Sequence, residues 1–153
     1  MDLSVRLAAP SDVSIIAEFN AAMAKETEEI ELNRERLRKG VEALFGDPTK
    51  GLYYIAESNG KIAGQLMITY EWSDWRNATF WWIQSVYVHP DYRRNGVFRT
   101  LYRHIETIAR TRGDVCGVRL YVDKENGRAQ KTYGTLGMKH SHYEMIEMDL
   151  DMK

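Results

Sequence analysis

"IQSVYVHPDYRRNGVFRTLY", residues 83–102, decides the fold. Its first six residues close the run Ala78 to Val88, "ATFWWIQSVYV", whose aromatic and β-branched content is that of a long strand. Past Arg94-Asn95-Gly96, the apolar positions Phe98, Leu101, Tyr102, Ile105, Ile108 and Ala109 recur at helical spacing, so a helix starts near Val97 and runs to about Arg112. Gly113 closes it. A strand, a tight turn and a helix leave several turn amides without intrahelical partners, and the helix dipole behind them favours an anion. Gly96 permits a positive φ or close approach of a ligand, and Arg93, Arg94 and Arg99 add positive charge. The competing reading is a plain connector with solvated arginines. No Gly-Lys-Ser/Thr follows the turn, which excludes a nucleotide P-loop, and only one of the three dinucleotide-fingerprint glycines is present.

Upstream, Leu3 to Leu7 alternates as a strand, and Ser11 or Asp12 can cap a helix with Val13, Ile16, Ala17, Phe19 and Met23 on its apolar side. Asn33 opens a second helix carrying Leu37, Val41 and Leu44, ended by Gly46-Asp47-Pro48. Ser58-Asn59-Gly60 joins two strand-like runs as a hairpin. Downstream, "VCGVRLYV", residues 115–122, reads as a strand, and Asn126 caps a short helix whose inward side carries Ala129, Thr132, Tyr133 and Leu136. "HYEMIEMDL", residues 142–150, alternates as a last strand. The order β-α-α-β-β-β-α-β-α-β(-β) predicts an α+β chain: a central mixed, mostly antiparallel sheet with helices on both faces.

A length of 153 residues suits one domain, 1–153, with a real core. A net charge of −1 gives no global pull toward nucleic acid or anionic lipid. The basic, aromatic "RRNGVFRTLYRH" on one helix does not change that expectation. No apolar run nears the roughly 18 residues of a membrane span, no signal-peptide layout opens the chain, and the lone Cys116 allows no internal disulfide. A cytoplasmic protein with no membrane contact is expected. Cys116 sits among Val and Leu as a small hydrophobe, and His140 with His142 lack further ligands, so no metal is expected.

The run "IQSVYVHPDYRRNGVF" resembles the signature of the GNAT acyl-CoA N-acyltransferase superfamily: a hydrophobic-x-Val strand end, Pro, then Arg/Gln-x-x-Gly-x-Gly/Ala opening a helix. Arg93, Gly96 and Phe98 fill its named positions, with Phe98 standing where Gly or Ala is usual. A second block, Asn126, Ala129, Tyr133 and Leu136-Gly137-Met138, is similar to the family's Asn-x-x-Ala-x-x-x-Tyr…Gly-Phe segment, with Met138 in place of Phe. The element order agrees as well, so the resemblance spans nearly the whole chain.

The resemblance implies acetyl-CoA as co-substrate, with its pyrophosphate on the turn amides of Arg94, Asn95, Gly96, Val97, Phe98 and Arg99. Its pantetheine arm would lie along Val86, Tyr87 and Val88, where a backbone N–H polarises the thioester carbonyl. Asn126 belongs to the same cofactor set. An amine attacks directly in a ternary complex, so no enzyme nucleophile is needed, and Tyr133 maps onto the family's proton donor to the departing thiolate. A phenol with a pKa near 10 stays protonated at neutral pH and can serve. The opposing reading is a core tyrosine with a satisfied hydroxyl.

Many members carry Glu where this chain has Gln84, and an amide is no base. Glu71 is the candidate base by position, with Glu28, Glu29, Asp74 or a water chain as alternatives. For the acceptor, "ETEEIE" (26–31), including Glu28, and "EWSDWRNATFWW" (71–82) flank the cleft in this fold. Trp72 and Trp75, read as loop residues beside Glu71 and Asp74, are candidates to hold an ammonium through their π-faces, unless these runs are only a solvated face and hairpin packing. The expected acceptor is a primary amine on a cationic small molecule or peptide. A homodimer is compatible with the sequence. The contrasting function is a non-catalytic acyl-CoA-binding or regulatory module with the same fold.

Overall fold

A computed structural model describes residues 1–152. They form two compact units, Met1–Leu120 and the residues from Tyr121 onward.

In the first unit, strands β1 (Ser4–Leu7), β2 (Leu52–Ser58), β3 (Lys61–Ser73), β4 (Ala78–Val88) and β5 (Val115–Arg119) make one sheet in the order β1-β2-β3-β4-β5. The first three pairings are antiparallel, and β4 pairs with β5 in parallel. Helices α1 (Val13–Glu28) and α2 (Arg34–Gly46) precede β2, and α3 (Val97–Thr111) joins β4 to β5. The β2–β3 hairpin turns at Asn59 and Gly60, both at positive φ, as an Asn-Gly turn requires. Asn33 caps α2 by accepting from the Arg36 N–H. Asp12 precedes α1 without capping it: its carboxylate accepts instead from the Ala9 N–H and from Arg6 across a 3₁₀ turn.

Successive strand residues face opposite sides of the sheet. Tyr53 and Ile55 pack with Ile16 of α1 and Val41 of α2, while the intervening Tyr54 meets His104 of α3 edge-on. Helices therefore cover both faces. Ile16, Ile55, Leu66, Leu101 and Ile105 are fully buried, each such side chain being worth about 1.5–3 kcal/mol in hydrophobic transfer. The stripe of α3 begins at Val97, with Phe98 only half-buried, one residue earlier than its spacing suggested.

In the second unit α4 (Gly127–Thr135) is capped by Asn126, whose side chain accepts from the Ala129 N–H. Two expectations are corrected. The strand expected over 115–122 ends at Arg119, and residues 142–150 pair with no strand among the described residues. Alternation supplies a strand's side-chain pattern, but a strand also needs an edge to bond to. The described architecture is α+β, a five-stranded, mostly antiparallel sheet with four α-helices.

Candidate functional site

β4 changes partners part-way along. Its pairing with β5 covers only Thr79 to Trp82, so from Ile83 to Val88 its outer edge has no strand beside it among the described residues. The pairing to β3 is displaced in the same region: Met67 opposes Gln84 but Gln65 opposes Tyr87, which leaves one extra residue on β4. This β-bulge centres on Ser85, at φ 51°. It is held from within. Gln65 is fully buried and its Nε2 donates to the Ser85 carbonyl at 3.1 Å and to Asn20 Oδ1 at 3.0 Å. Asn20 in turn donates to the Tyr53 hydroxyl.

The open edge leads into the turn. Arg94 and Gly96 both lie in the left-handed region, at φ 68° and 73°. Asn95 braces the bend by donating to the carbonyls of Tyr92 and Arg93. Thr100 makes the first helical bond of α3, to the Gly96 carbonyl, so the amides of Val97 to Arg99 lie in the first turn, ahead of the first intrahelical bond. Gly64 sets the helix beside β4. A Cβ there would lie 2.8 Å from Val97 Cγ1 and 2.9 Å from the Tyr87 carbonyl oxygen, so only glycine lets the first turn of α3 settle onto the sheet. A Cβ on Gly96 would meet nothing within 4 Å, so what calls for glycine there is the left-handed backbone rather than a close neighbour. An open strand edge leading into a helix's first turn fits an extended ligand ending in a phosphate group.

Arg93 points elsewhere than expected. Its Nε donates to the Val88 carbonyl and its Nη2 pairs with Glu26 at 2.8 Å, so it closes one acceptor of the open edge. The Tyr87 hydroxyl donates to the other oxygen of Glu26. The Tyr87 bond, then Arg93, holds the Glu26 carboxyl below its usual range, while burial and then Glu26 push the Tyr87 phenol up. Glu26 thus ties the last turns of α1 to β4 and the turn. Its run "ETEEIE" stood out in the sequence, but nothing there separates Glu26 from Glu28, which is exposed at the helix end.

Strand alternation splits the expected acceptor residues between the two faces of the sheet. Thr69, Glu71, Trp82 and Gln84 share the face of α1: Gln84 Nε2 donates to Thr69 Oγ1, and Trp82 Nε1 donates to Glu71 at 2.7 Å. Arg119 reaches across from β5, lying 3.6 Å over the Phe80 ring and donating to both Glu71 oxygens. Trp82 first, then Arg119, lower the Glu71 pKa. Trp72 is a strand residue on the opposite face from Glu71, beside Tyr70, and Trp75 is exposed in the turn after β3. Asp74 accepts from the Trp75 N–H and so shapes that turn. The structure brings Gln84 to Thr69, and Trp82 and Arg119 to Glu71; it does not bring Trp72 to Glu71. Sequence reading missed Trp82 and Arg119 as partners of Glu71, because only the register pairs them.

In the second unit Tyr133 is half-buried on α4, on the side that carries Ala129 and Leu136, and burial pushes its hydroxyl above the ordinary phenol value. Asn126 spends its side-chain oxygen on the helix cap.

Residues 16–138 match the model of the acetyltransferase (GNAT) family. The chain is similar to the crystal structure of a possible acetyltransferase from Clostridium difficile 630, at 45% identity over 98% of this chain and 99% of that one, with a TM-score of 0.92. A predicted acetyltransferase from Clostridium acetobutylicum, solved with acetyl-CoA, shares the fold at 19% identity, with 97% of each chain covered and a TM-score of 0.76. A ribosomal-protein-alanine N-acetyltransferase from Brucella melitensis biovar Abortus 2308 shares it at 15% identity over 97% of this chain and 99% of that one, TM-score 0.79. No curated protein matches the chain. No helix among the described residues is long and apolar enough to cross a membrane.

Proposed function

The chain belongs to the acetyltransferase (GNAT) family, and from that membership we propose that it moves an acetyl group from acetyl-CoA to a primary amine by direct attack in a ternary complex. The observation that carries this reading is the unpaired β4 edge, Ile83 to Val88, leading into the left-handed Gly96 turn and the first amides of α3. The family match crosses both compact units, which supports one working domain over 1–153, and a cytoplasmic setting is part of the proposal.

Acetyl-CoA supplies an activated thioester. In this reading the amides of Val97, Phe98 and Arg99 hold its pyrophosphate with the α3 dipole behind them. Val86 and Val88 offer backbone groups to the pantetheine arm, less the Val88 carbonyl that Arg93 occupies. A backbone N–H beside the bulge stabilises the carbonyl oxygen as negative charge grows on it. Tyr133 supplies the proton that the departing thiolate needs, and a raised phenol pKa keeps that proton in place at neutral pH.

The acceptor is proposed to be a cationic small molecule or a peptide amine. The exposed carboxylates of Glu28, the last residue of α1, and Glu29 just past it attract such a cation, and Trp82 offers an aromatic surface on the same sheet face as Gln84. Glu71 carries a bond from Trp82 and an ion pair with Arg119, so its proposed part is to hold those two side chains, while the ammonium loses its proton to water. Gln84 in place of a strand carboxylate favours the second reading, a non-catalytic acyl-CoA-binding module. A thiol-release assay with acetyl-CoA and a panel of primary amines separates the two. Turnover that falls at least tenfold in Tyr133→Phe supports transfer; tight acetyl-CoA binding without turnover on any amine supports the module.

A further inference from the structure

Gln84 presents a hydrogen-bond acceptor on the α1 face of β4, and no base. Its Nε2 donates to Thr69 Oγ1 at 2.6 Å, its Oε1 receives no hydrogen bond from the described residues, and the side chain stays half-buried one residue before the Ser85 bulge. The bonded end fixes the amide, so the free end is a placed acceptor. Two carboxylates bond to side chains of β4, and both are engaged. Glu71 accepts from Trp82 Nε1 and Arg119, and Glu26 accepts from the Tyr87 hydroxyl and Arg93. Those partners favour the ionised form, so each carboxyl lies below its ordinary range and is a correspondingly weak base. Tyr53, the phenol beside the bulge, accepts from Asn20 and is pushed up by burial, so it keeps its proton.

Resting on the acetyl-transfer reading, we infer that Gln84 determines acceptor specificity: its Oε1 accepts an N–H of an amine that arrives neutral, so the acetylated nitrogen is a weakly basic one, an α-amino group rather than an alkyl side-chain amine. The amide orients this nitrogen and takes no proton from it. The ammonium loses its proton to water before it binds. The nitrogen lone pair then bonds to the thioester carbon, the C–S bond breaks onto sulfur, and the thiolate takes a proton from Tyr133. The acylated nitrogen gives its surplus proton to water. The supply of neutral amine decides the class. At pH 7 an α-amine with a pKa of about 8.0 is roughly 10% neutral, and a lysine-like amine with a pKa of about 10.4 is roughly 0.04% neutral. The greater nucleophilicity of the stronger base offsets that gap only in part. The exposed carboxylates of Glu28 and Glu29 then attract a cationic group elsewhere on the acceptor, not the reacting nitrogen.

Thiol release from acetyl-CoA by the full chain tests this with two probes: a dipeptide amide with a free α-amine, and a lysine amide blocked at its α-nitrogen. At pH 7 kcat/KM is expected to favour the α-amine at least tenfold. The preference should shrink at least tenfold by pH 10, as the side-chain amine loses its proton. Gln84→Glu, which puts a base in the same place, should narrow the preference at pH 7. Gln84→Leu should raise the α-amine KM at least tenfold with acetyl-CoA affinity unchanged in calorimetry. Equal use of the two probes at pH 7, or a preference constant with pH, overturns the inference and leaves transfer standing. So does a folded Gln84→Leu with an unchanged α-amine KM. Where a variant fails to fold, the wild-type pH series decides alone. Acetyl-CoA binding with no turnover on either probe at any pH overturns the transfer reading, and this inference with it.

Discussion

Gln65 Nε2 donates to the Ser85 carbonyl at 3.1 Å, a bond made by a fully buried side chain on β3 to the one extra residue of the bulged strand. The bulge coincides with the stretch of β4 that lacks β5, so this bond braces the strand edge on which the function is proposed to depend. Gln65→Leu keeps the volume and removes both donors, leaving the Ser85 carbonyl and Asn20 Oδ1 without them. A loss of about 1–3 kcal/mol is expected in urea unfolding, with a rise in the acetyl-CoA KM larger than the fall in kcat. An unchanged KM would mean the bulge holds its shape without Gln65.

Gly96→Val separates cradle from scaffold. A Cβ there meets nothing within 4 Å, and the backbone sets the cost: the left-handed region costs a non-glycine residue about 1–2 kcal/mol and more where the side chain is β-branched. The turn is expected to open, weakening CoA binding by tenfold or more in calorimetry while the chain stays folded. Equal affinity would reduce the turn to a connector.

Glu26 gives a pH signature. Its folded pKa is lowered by Tyr87 and Arg93, so its contribution to stability is present above the ordinary carboxylate pKa of about 4.3 and is lost as pH falls through the lower folded value. Glu26→Gln should therefore lower Tm at pH 7, and the gap to wild type should close below about pH 4. Thermal melts across that range measure it; a gap constant with pH would assign the effect to packing.

Glu71→Gln tests the base. With its oxygens engaged by Trp82 and Arg119, the substitution is expected to lower kcat by less than about tenfold and to leave the pH–rate profile in place, well short of the roughly 10²–10⁴-fold typical of a lost general base. A larger fall with loss of the basic limb would restore Glu71 as the proton acceptor.

What the sequence made legible was local. Asn59-Gly60 marked the hairpin, Ala78 to Val88 carried one strand's composition throughout, and Asn33 and Asn126 announced the helix ends they cap. What stayed hidden depended on pairing. The bulge at Ser85 is a difference in count between two strands, and the face that Trp72 takes follows from register rather than from its neighbours in the chain. Glu26 meets Arg93 from 67 residues away, and no spacing rule selects it from four glutamates in six positions. The tail failed as a strand for the same reason: its alternation is intact and its partner edge is not part of the pattern.

The account turns on acetyl-CoA lying along β4 and ending at the α3 turn. Amide exchange measured with and without acetyl-CoA tests this directly. Protection gained at Val86, Val88 and Val97 to Arg99, and lost again in Gly96→Val, is the predicted result. Saturating acetyl-CoA that leaves those amides unchanged while protecting another part of the chain would contradict it.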